Sequence, residues 1–368
     1  MERILIVASS ARMLAQAAKD AGLKPLVIDL FADLDTQGYA EDFRRIKSLA
    51  EQDLTPAVDD FVERYAVTHV IYGSGFEYYL ESLRYLGSRL TVLGNHPDVF
   101  AKLQDKQAFF SKLDELNIPH PEVAFSPPDS ADGWLIKPMQ GQGGAGIKRY
   151  RADDSATASV YWQKFQTGVP HSVLFLADGQ QVQIVGFNTQ WSVSLGETQE
   201  FVFSGVINNA DLADAHKAAV TGWLKQMVPV FALRGLNSLD FIHADGRSYV
   251  LEINPRPSAS IQLYDDDLLI RHIQACEGDV GAQSVGRNSV VYCAAGQAGY
   301  QIVYAGQNLT ISDQFEWPEY CVDLPESGSF IRTGQPICSI IAHQNESQSV
   351  SEQLLTKQQL IINKLERF

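Results

Sequence analysis

Short apolar runs alternate with amphipathic stretches over about the first hundred residues. The runs have the length of strands buried on both faces, and they fall at residues 3–8, 25–30, 67–72 and 90–93. The first stretch between them has the period of a helix, with Gly22 as its stop. Strands that alternate with helices predict a small parallel α/β domain over residues 1–97.

The carboxyl ends of parallel strands are where such domains usually bind ligands. The third apolar run leads into a polar turn whose candidate contacts are Gly73, Ser74, Gly75 and Glu77. A simple strand-to-helix turn explains the same residues equally well. No GxGxxG motif follows the first strand, so we do not expect a dinucleotide site of the usual kind.

The middle of the chain combines helical and strand patterns. Helical periodicity covers residues 98–118, with Lys106 in the middle of the stretch. Further apolar patterns predict strands at 134–138, 165–177 and 181–188, and a helix over 211–231. Taken alone, a lysine in a helix is usually a solvated side chain.

A glycine-rich loop follows the strand at 134–138, which carries Lys137. Its glycines are Gly141, Gly143, Gly144 and Gly146. The backbone N–H groups of such a loop can approach an anion closely, and the lysine would add a compact positive charge for phosphate. The order of lysine and glycines is not that of a Walker A loop, and a mobile hairpin loop accounts for the same pattern.

Two apolar runs flank a polar turn at residues 245–247 and predict a β-hairpin, with strands at 239–243 and 249–253. With a three-residue loop, Asp240 lies opposite Glu252, and Asn254 shares a face with Glu252. Two carboxylates and an amide oxygen would then converge, which suits a hard divalent cation such as Mg2+. An isolated hairpin of this kind more often turns its acids to solvent.

The composition changes after residue 278 to β-formers, glycine and polar turns, which predicts a C-terminal β-rich domain over residues 279–368. Its strands are predicted at 290–293, 300–305, 309–311 and 337–342, and a final helix at 352–365. No lysine occurs between Lys225 and Lys357, so this region cannot carry biotin or lipoate on a lysine.

Composition excludes several classes of protein. The 368 residues suggest two to four domains, and the net charge of −15 argues against a nucleic-acid partner. The four cysteines are far apart and show no CxxC pair, so neither zinc nor a disulfide framework is indicated. No apolar run approaches a membrane span, and the N-terminal run is too short for a signal peptide. We therefore expect a cytoplasmic protein with no membrane partner.

The order of these motifs resembles the ATP-grasp superfamily. The resemblance covers about residues 1–275, and its most specific parts are the lysine–glycine loop at 137–146 and the hairpin motif at 240–256. It implies a multidomain α/β and α+β chain with an N-terminal parallel pre-ATP-grasp domain. An ATP-grasp domain would follow over 98–278, with a small lobe at about 98–180 and a large lobe at about 181–278.

The resemblance implies that ATP is bound with Mg2+, or with Mn2+ as an alternative ion. Lys106 and Lys137 correspond to the two nucleotide-binding lysines, and Gly141, Gly143, Gly144 and Gly146 to the loop that closes over the β- and γ-phosphates. The metal ligands would be Asp240, Glu252 and Asn254.

The resemblance implies that Lys137 and Arg256 are the catalytic residues. Lys137 corresponds to a lysine that contacts phosphate, and Arg256 to the arginine that contacts the transferred phosphoryl group or the acylphosphate. One departure concerns the hinge, where family members usually carry a glutamate that binds ribose. Residues 164–171 contain no acid, and Gln166 is the predicted substitute.

The resemblance implies an ATP-dependent carboxylate–amine ligase that acts through an acylphosphate. Residues 170–179 and 185–191 resemble a subgroup related to the tyramine–glutamate ligase of methanofuran-type cofactor synthesis, which implies an amino acid such as glutamate and a small amine as substrates. A biotin-carboxylase-like enzyme that uses bicarbonate and a non-catalytic ATP-binding regulatory protein are the alternatives. A homo-oligomer is compatible with each of them.

Overall fold

The computed structural model describes residues 1–151, 153–154, 159–264, 267–278, 296–344 and 348–366. Its N-terminal part is a parallel sheet in the order β3-β2-β1-β4-β5, as the alternating pattern predicts. The strands are β1 (Arg3–Val7), β2 (Lys24–Asp29), β3 (Asp42–Arg45), β4 (His69–Tyr72) and β5 (Thr91–Val92). The helices are α1 (Arg12–Asp20), α2 (Leu34–Tyr39), α3 (Glu51–Tyr65) and α4 (Leu80–Arg89), with a 3-10 turn at Phe76–Tyr78.

Two helices and a small antiparallel sheet come next. The helices are α5 (Pro97–Gln104) and α6 (Lys106–Glu115). The sheet has the order β6-β9-β7-β8, with β6 (Val123–Ala124), β7 (Trp134–Pro138), β8 (Lys148–Arg149) and β9 (Val160–Lys164). The glycine-rich loop connects β7 to β8, so it extends from the small sheet.

The large sheet begins with β10 (Val169–Asp178), β11 (Val182–Val193) and β12 (Val202–Ile207). The long helix α7 (Asp214–Phe231) then leads to the hairpin of β13 (Arg234–Ala244) and β14 (Arg247–Asn254), which is followed by a 3-10 turn at Ala259–Leu263 and by α8 (Leu268–Cys276). Because β10 pairs with both β11 and β13, the change from the small to the large sheet falls between β9 and β10.

The C-terminal strands extend the large sheet. They are β15 (Ala298–Tyr304), β16 (Leu309–Thr310), β17 (Cys321–Val322), β18 (Phe330–Ile331) and β19 (Pro336–His343), followed by α9 (Val350–Leu365). The sheet order is β14-β13-β10-β11-β12-β15-β19-β17, while β16 and β18 pair with each other. The strand predicted at 290–293 lies outside the described residues.

The predicted three-residue loop of the hairpin is wrong, although the predicted pairing is right. The loop has two residues, Asp245 and Gly246, so a regular ladder would place residue 251 opposite Asp240. A β-bulge next to Asp240 adds one residue on β14 and shifts the register, so Asp240 pairs with Glu252. The bulge thus restores the facing carboxylates.

One buried core joins the N-terminal domain to the large sheet. Leu14 and Ala18 of α1 belong to the same cluster as Leu268 and Ile273 of α8. This packing holds the carboxyl ends of the N-terminal strands beside the hairpin. Among the described residues, no helix combines the length and apolar character that crossing a bilayer requires.

Candidate functional site

The floor of the candidate site is the hairpin of β13 and β14. Asp240 lies opposite Glu252, and Asn254 follows on the same face. The Asn254 side-chain nitrogen donates to Asp240 Oδ2 at 2.9 Å, while Asn254 Oδ1 accepts a longer bond of 3.4 Å from Arg256. Gln190 of β11 donates to Asp240 Oδ1 at 3.3 Å. The three predicted ligand side chains therefore share one face of the sheet.

The two facing carboxylates have different proton affinities. Burial and, next, the negative charge of Glu252 raise the pKa of Asp240. Burial acts on Glu252 in the same direction. The pKa of this glutamate is nevertheless below its ordinary value, because the positive charges of Lys106, Lys137 and Arg256 oppose the effect of burial. Two acids that repel each other among three cations form a strongly charged, partly buried site.

The donor set of the floor fits a hard divalent cation. Asp240 and Glu252 offer carboxylate oxygens, and Mg2+ is commonly held by one or two carboxylates together with substrate phosphates. No group of three His, Cys, Asp or Glu side chains suited to a metal occurs among the described residues, so such an ion would depend on these two acids, on Asn254 and on oxygens from a ligand. The side-chain nitrogen of Asn254 faces Asp240. The Asn254 amide would therefore have to rotate before its oxygen could bind the same ion as Asp240 and Glu252.

Two lysines reach the floor from different elements. Lys106 is the first residue of α6, and its ammonium nitrogen is 3.5 Å from Glu252 Oε2. Lys137 of β7 is buried and donates to Gln163 Oε1 of β9 at 3.0 Å. It lies 5.7 Å from the ring centroid of Tyr161. Burial lowers the pKa of Lys137 against the opposing effect of the acids. Lys106 thus contacts Glu252 directly, whereas the charge of Lys137 acts on Glu252 electrostatically.

The glycine-rich loop is docked on the start of β12. The Gly143 carbonyl oxygen accepts a hydrogen bond from Phe203 N at 2.9 Å. Gly144 approaches Phe201 so closely that a Cβ at position 144 would lie 1.9 Å from the Phe201 carbonyl oxygen. Gly143 and Gly144 have φ values of +59° and +74°, the left-handed region that favours glycine. The sequence of the loop therefore suits this docked conformation.

The other predicted nucleotide contacts lie around this loop. A Cβ at Gly141 would be 3.3 Å from the Tyr78 hydroxyl of the N-terminal domain, and one at Gly146 would be 2.9 Å from Pro138 Cγ. Gln166 is half-buried in the segment between β9 and β10. Its role as the substitute for the hinge acid stays a prediction.

Arg256 connects the hairpin to the N-terminal domain. Its Nε atom donates to Glu77 Oε1 at 3.0 Å, and the two side chains are only 10% and 4% exposed. Glu77 lies in the turn after β4, at one of the positions predicted as a ligand contact. The structure gives this glutamate a protein partner, so the N-terminal domain takes part in building the site.

Three contributors to the site were not singled out from the sequence: Gln163, Gln190 and the pairing of Glu77 with Arg256. Gln163 lies next to Lys137 only because β7 and β9 pair. Gln190 reaches Asp240 across β10, which separates β11 from β13. Gln163 is an amide in a short strand with three apolar residues, whereas Gln190 lies among other polar residues of β11 and nothing in the sequence marks it.

Comparison with known proteins identifies the central part of the chain. Residues 103–260 match the family profile described as ATP-grasp domain. The arginine-specific large chain of carbamoyl phosphate synthase from Geobacillus stearothermophilus is 23% identical over 226 residues, which cover 56% of this chain and 22% of that protein. This chain therefore aligns with only about a fifth of that curated relative.

Solved structures share the fold over nearly the whole chain. L-amino acid ligase from Bacillus licheniformis superposes with a TM-score of 0.72 and 13% identity, covering 99% of this chain and 98% of that one. The biotin carboxylase domain of Hydrogenobacter thermophilus 2-oxoglutarate carboxylase, in complex with MgADP, ADP and bicarbonate, gives a TM-score of 0.71 and 14% identity, covering 92% and 86%. At these identities the likeness establishes the fold alone.

Proposed function

We propose that this chain, whose residues 103–260 form an ATP-grasp domain, is an ATP-dependent ligase that joins a carboxylate to an amine. One observation carries the proposal. The facing carboxylates of the hairpin are surrounded by the positive charges of Lys106, Lys137 and Arg256, and the glycine-rich loop lies on β12 of the same sheet. Phosphoryl transfer depends mostly on positioning and charge neutralisation, which such a site supplies.

The reaction would proceed in two steps, formation of an acylphosphate and its attack by the amine. A carboxylate oxygen of the first substrate attacks the γ-phosphorus of ATP, the bond from that phosphorus to the β–γ bridging oxygen breaks, and ADP leaves with the electron pair. The acylphosphate that results is attacked at its acyl carbon by the amine. The amine loses a proton, inorganic phosphate leaves, and an amide remains.

Each group of residues has a distinct part in this scheme. Asp240, Glu252 and Asn254 would hold Mg2+, which when bound neutralises charge on the phosphate oxygens. Lys106 and Lys137 bind phosphates of the nucleotide, and the loop N–H groups cover the β- and γ-phosphates. Arg256 contacts the transferred phosphoryl group, so its charge stabilises the oxygens on which negative charge develops.

We assign an amino acid such as glutamate as the carboxylate substrate and a small amine as the acceptor. The resemblance of residues 170–179 and 185–191 to the subgroup related to tyramine–glutamate ligase supports this choice, as does the overall likeness to an L-amino acid ligase. The product would then belong to cofactor metabolism of the methanofuran or tetrahydromethanopterin type.

The test is phosphate release from ATP with Mg2+, and in parallel with Mn2+, over a panel of amino acids crossed with small amines. We expect release that requires one member of each class, together with a product whose mass equals the sum of the two substrates minus water. Release with one amino acid and no amine at all would contradict amide formation.

A bicarbonate-using carboxylase is the second candidate, since the shared fold includes a biotin carboxylase domain solved with bicarbonate. It predicts phosphate release that depends on bicarbonate and needs no amine. A regulatory ATP-binding protein predicts nucleotide binding without turnover under any of these conditions. The same panel, extended by bicarbonate and by a direct measurement of MgATP binding, separates the three functions.

A further inference from the structure

The N-terminal domain holds the backbone immediately before Arg256. The Pro255 carbonyl oxygen accepts two hydrogen bonds at 3.0 Å, one from the Tyr72 hydroxyl and one from Asn95 Nδ2. Tyr72 ends β4, and Asn95 follows β5, so both donors come from the carboxyl ends of parallel strands. All of these contacts are buried.

Asn95 also fixes the other strand of the hairpin. Its Nδ2 donates to Asn237 Oδ1 at 2.7 Å, and its Oδ1 accepts from Arg234 N at 2.8 Å. Arg234 and Asn237 belong to β13, which carries Asp240. The position of Arg256 relative to the floor is therefore set by the N-terminal domain on both strands.

Both oxygens of the Glu77 carboxylate accept a hydrogen bond. Oε1 accepts from Arg256 Nε at 3.0 Å, and Oε2 accepts from Gly75 N at 2.9 Å. Gly75 has a φ of +111°, and a Cβ there would be 2.5 Å from Leu49 Cδ1 and 3.1 Å from Ser9 Cβ. Only glycine fits this turn, and the turn presents its N–H to the carboxylate. Glu77 is thus held in one orientation before it contacts the arginine.

The consequence for Arg256 follows from the shape of its guanidinium. The group is planar and has five N–H donors in a fixed fork. Nε donates to Glu77, whereas the Nη atoms make only long contacts with the described residues, 3.4 Å to Asn254 Oδ1 and 3.5 Å to Pro257 O. Fixing Nε fixes the plane of the whole group, and the Nη donors face a predicted metal ligand.

We propose that Glu77 is a positioning residue, whose carboxylate orients Arg256 so that its Nη donors meet the transferred phosphoryl group. This inference rests on the proposed function and deepens it, because it assigns the N-terminal α/β domain a part in phosphoryl transfer. Glu77 itself contacts no substrate in this scheme. Its effect passes entirely through Arg256.

The experiment compares Glu77→Gln, Arg256→Ala and the double variant in the full chain. The two donors face different oxygens of the Glu77 carboxylate, so the NH2 group of a glutamine would face either Gly75 N or Arg256 Nε and leave that donor without its acceptor. The probes are MgADP alone, and MgADP with aluminium fluoride as a mimic of the phosphoryl group in transfer. Glu81→Gln is the matched control, since Glu81 is an exposed acid on the neighbouring helix that pairs with Arg84.

We expect Glu77→Gln to leave the Kd of MgADP within twofold of wild type and to weaken the fluoride-dependent gain in affinity at least tenfold. Arg256→Ala should lose the same gain, and the double variant should lose no more than Arg256→Ala alone. The control should match wild type. This lack of additivity distinguishes positioning through Arg256 from a general loss of structure.

The outcomes separate the two levels of inference. Wild-type protein that binds no MgADP overturns the proposed function. Wild-type protein that binds MgADP and gains from fluoride, with Glu77→Gln unchanged or with additive effects in the double variant, overturns the role of Glu77 alone. A fluoride gain that is absent in wild type overturns the assignment of Arg256, and the positioning role with it.

If Glu77→Gln does not fold, Glu77→Asp replaces it. This variant keeps the carboxylate but shortens the side chain by one methylene, so the acid cannot reach both Gly75 N and Arg256 Nε. A loss of the fluoride gain of at least twofold that disappears in the Arg256→Ala background supports the inference, and an unchanged gain contradicts it.

Discussion

Replacing Gly144 by alanine should keep the glycine-rich loop from docking on β12. The new Cβ would lie 1.9 Å from the Phe201 carbonyl oxygen and 2.9 Å from its carbonyl carbon. Cβ atoms in proteins essentially never come closer than 3.0 Å to such atoms, so the loop would have to retreat by about 1 Å. The obstacle is backbone, which cannot turn aside as a flexible side chain would.

The cost of this change has two parts. The retreat breaks the hydrogen bond that Phe203 N donates to Gly143 O at 2.9 Å, a net loss of about 0.5–1.5 kcal/mol. The φ of +74° at Gly144 adds about 1–2 kcal/mol for a residue with a side chain. Together these disfavour the docked loop by about 1.5–3.5 kcal/mol, or roughly 10- to 400-fold in its equilibrium.

Gly143→Ala is the matched control for this substitution. Position 143 also has a positive φ, +59°, but a Cβ there meets no atom within 4 Å. Both variants therefore carry the cost of a left-handed alanine, and only Gly144→Ala carries the clash and the broken hydrogen bond. The difference between the two variants isolates docking, and the lost hydrogen bond alone makes it roughly 2- to 13-fold.

Hydrogen exchange at the Phe203 amide measures docking directly, because this N–H is the donor to the loop. We expect exchange at least about twofold faster in Gly144→Ala than in Gly143→Ala, and a corresponding loss in kcat/KM for ATP. MgATP should slow exchange over residues 141–147 in wild type. Equal exchange in the two variants would refute the docking argument, and slow exchange in wild type that MgATP leaves unchanged would refute the loop as a nucleotide lid.

Four further substitutions test the floor and the buried ionisable groups. Asp240→Asn or Glu252→Gln should abolish Mg2+-dependent phosphate release and leave the circular dichroism spectrum intact; near-normal rates would reject these residues as metal ligands. Burial lowers the pKa of His272 from 6.5 to about 4, so between these pH values only the unfolded chain binds a proton at this residue. The free energy of unfolding is therefore highest above pH 6.5 and falls by about 3 kcal/mol as the pH drops to 4. His272→Gln should flatten this part of the plot of Tm against pH. Burial and, next, the negative charge of Asp323 raise the pKa of Asp33 from 3.8 to about 8. Between these pH values the folded chain binds a proton that the unfolded chain has lost, so wild-type stability falls as the pH rises from 3.8 to 8. Asp33→Asn should therefore raise the Tm at pH 8.5 by more than at pH 5, and equal shifts would contradict the raised pKa.

The hairpin shows how far strand periodicity can support a prediction. Alternation together with an assumed three-residue loop placed Asp240 opposite Glu252, and this pairing is right although the loop is one residue shorter. The cause of that register was not predictable, because loops of two and three residues both suit an Asp-Gly turn. The bulge beside Asp240 depends on packing of both strands against the rest of the sheet, and no local pattern encodes it.

The N-terminal sheet shows a different limit. Strand β3, Asp42–Arg45, was missed because it has no apolar run and most of its side chains are exposed at the sheet edge. The three interior strands β1, β2 and β4 were predicted, since burial on both faces leaves a continuous apolar signature, and the edge strand β5 was predicted from the apolar run that includes the buried Leu90 and Leu93. Sequence patterns therefore find a strand through what it buries, and an exposed edge strand buries little.

Contacts between distant segments were beyond prediction from local patterns. Glu77 and Arg256 are 179 residues apart, and the turn that carries Glu77 gave no sign of which partner it would meet. The resemblance to the ATP-grasp superfamily predicted a role for Arg256 but not the residue with which Arg256 pairs. The structure places the two together because the core around α1 and α8 holds the carboxyl ends of the N-terminal strands against the hairpin.

The same reasoning gives the predicted C-terminal β-rich domain a place in the site. Its strand β15 pairs with β12, so the two regions share one sheet. Tyr304 of β15 donates its hydroxyl to the Phe203 carbonyl oxygen at 2.8 Å, while Phe203 N donates to Gly143 O at 2.9 Å. The two backbone groups of one residue thus connect the C-terminal strands to the glycine-rich loop. Because the C-terminal strand β15 fixes Phe203, the loop docks on a strand that is itself held in place. If the loop closes over a nucleotide as proposed, we expect the C-terminal region to support that closure through β12.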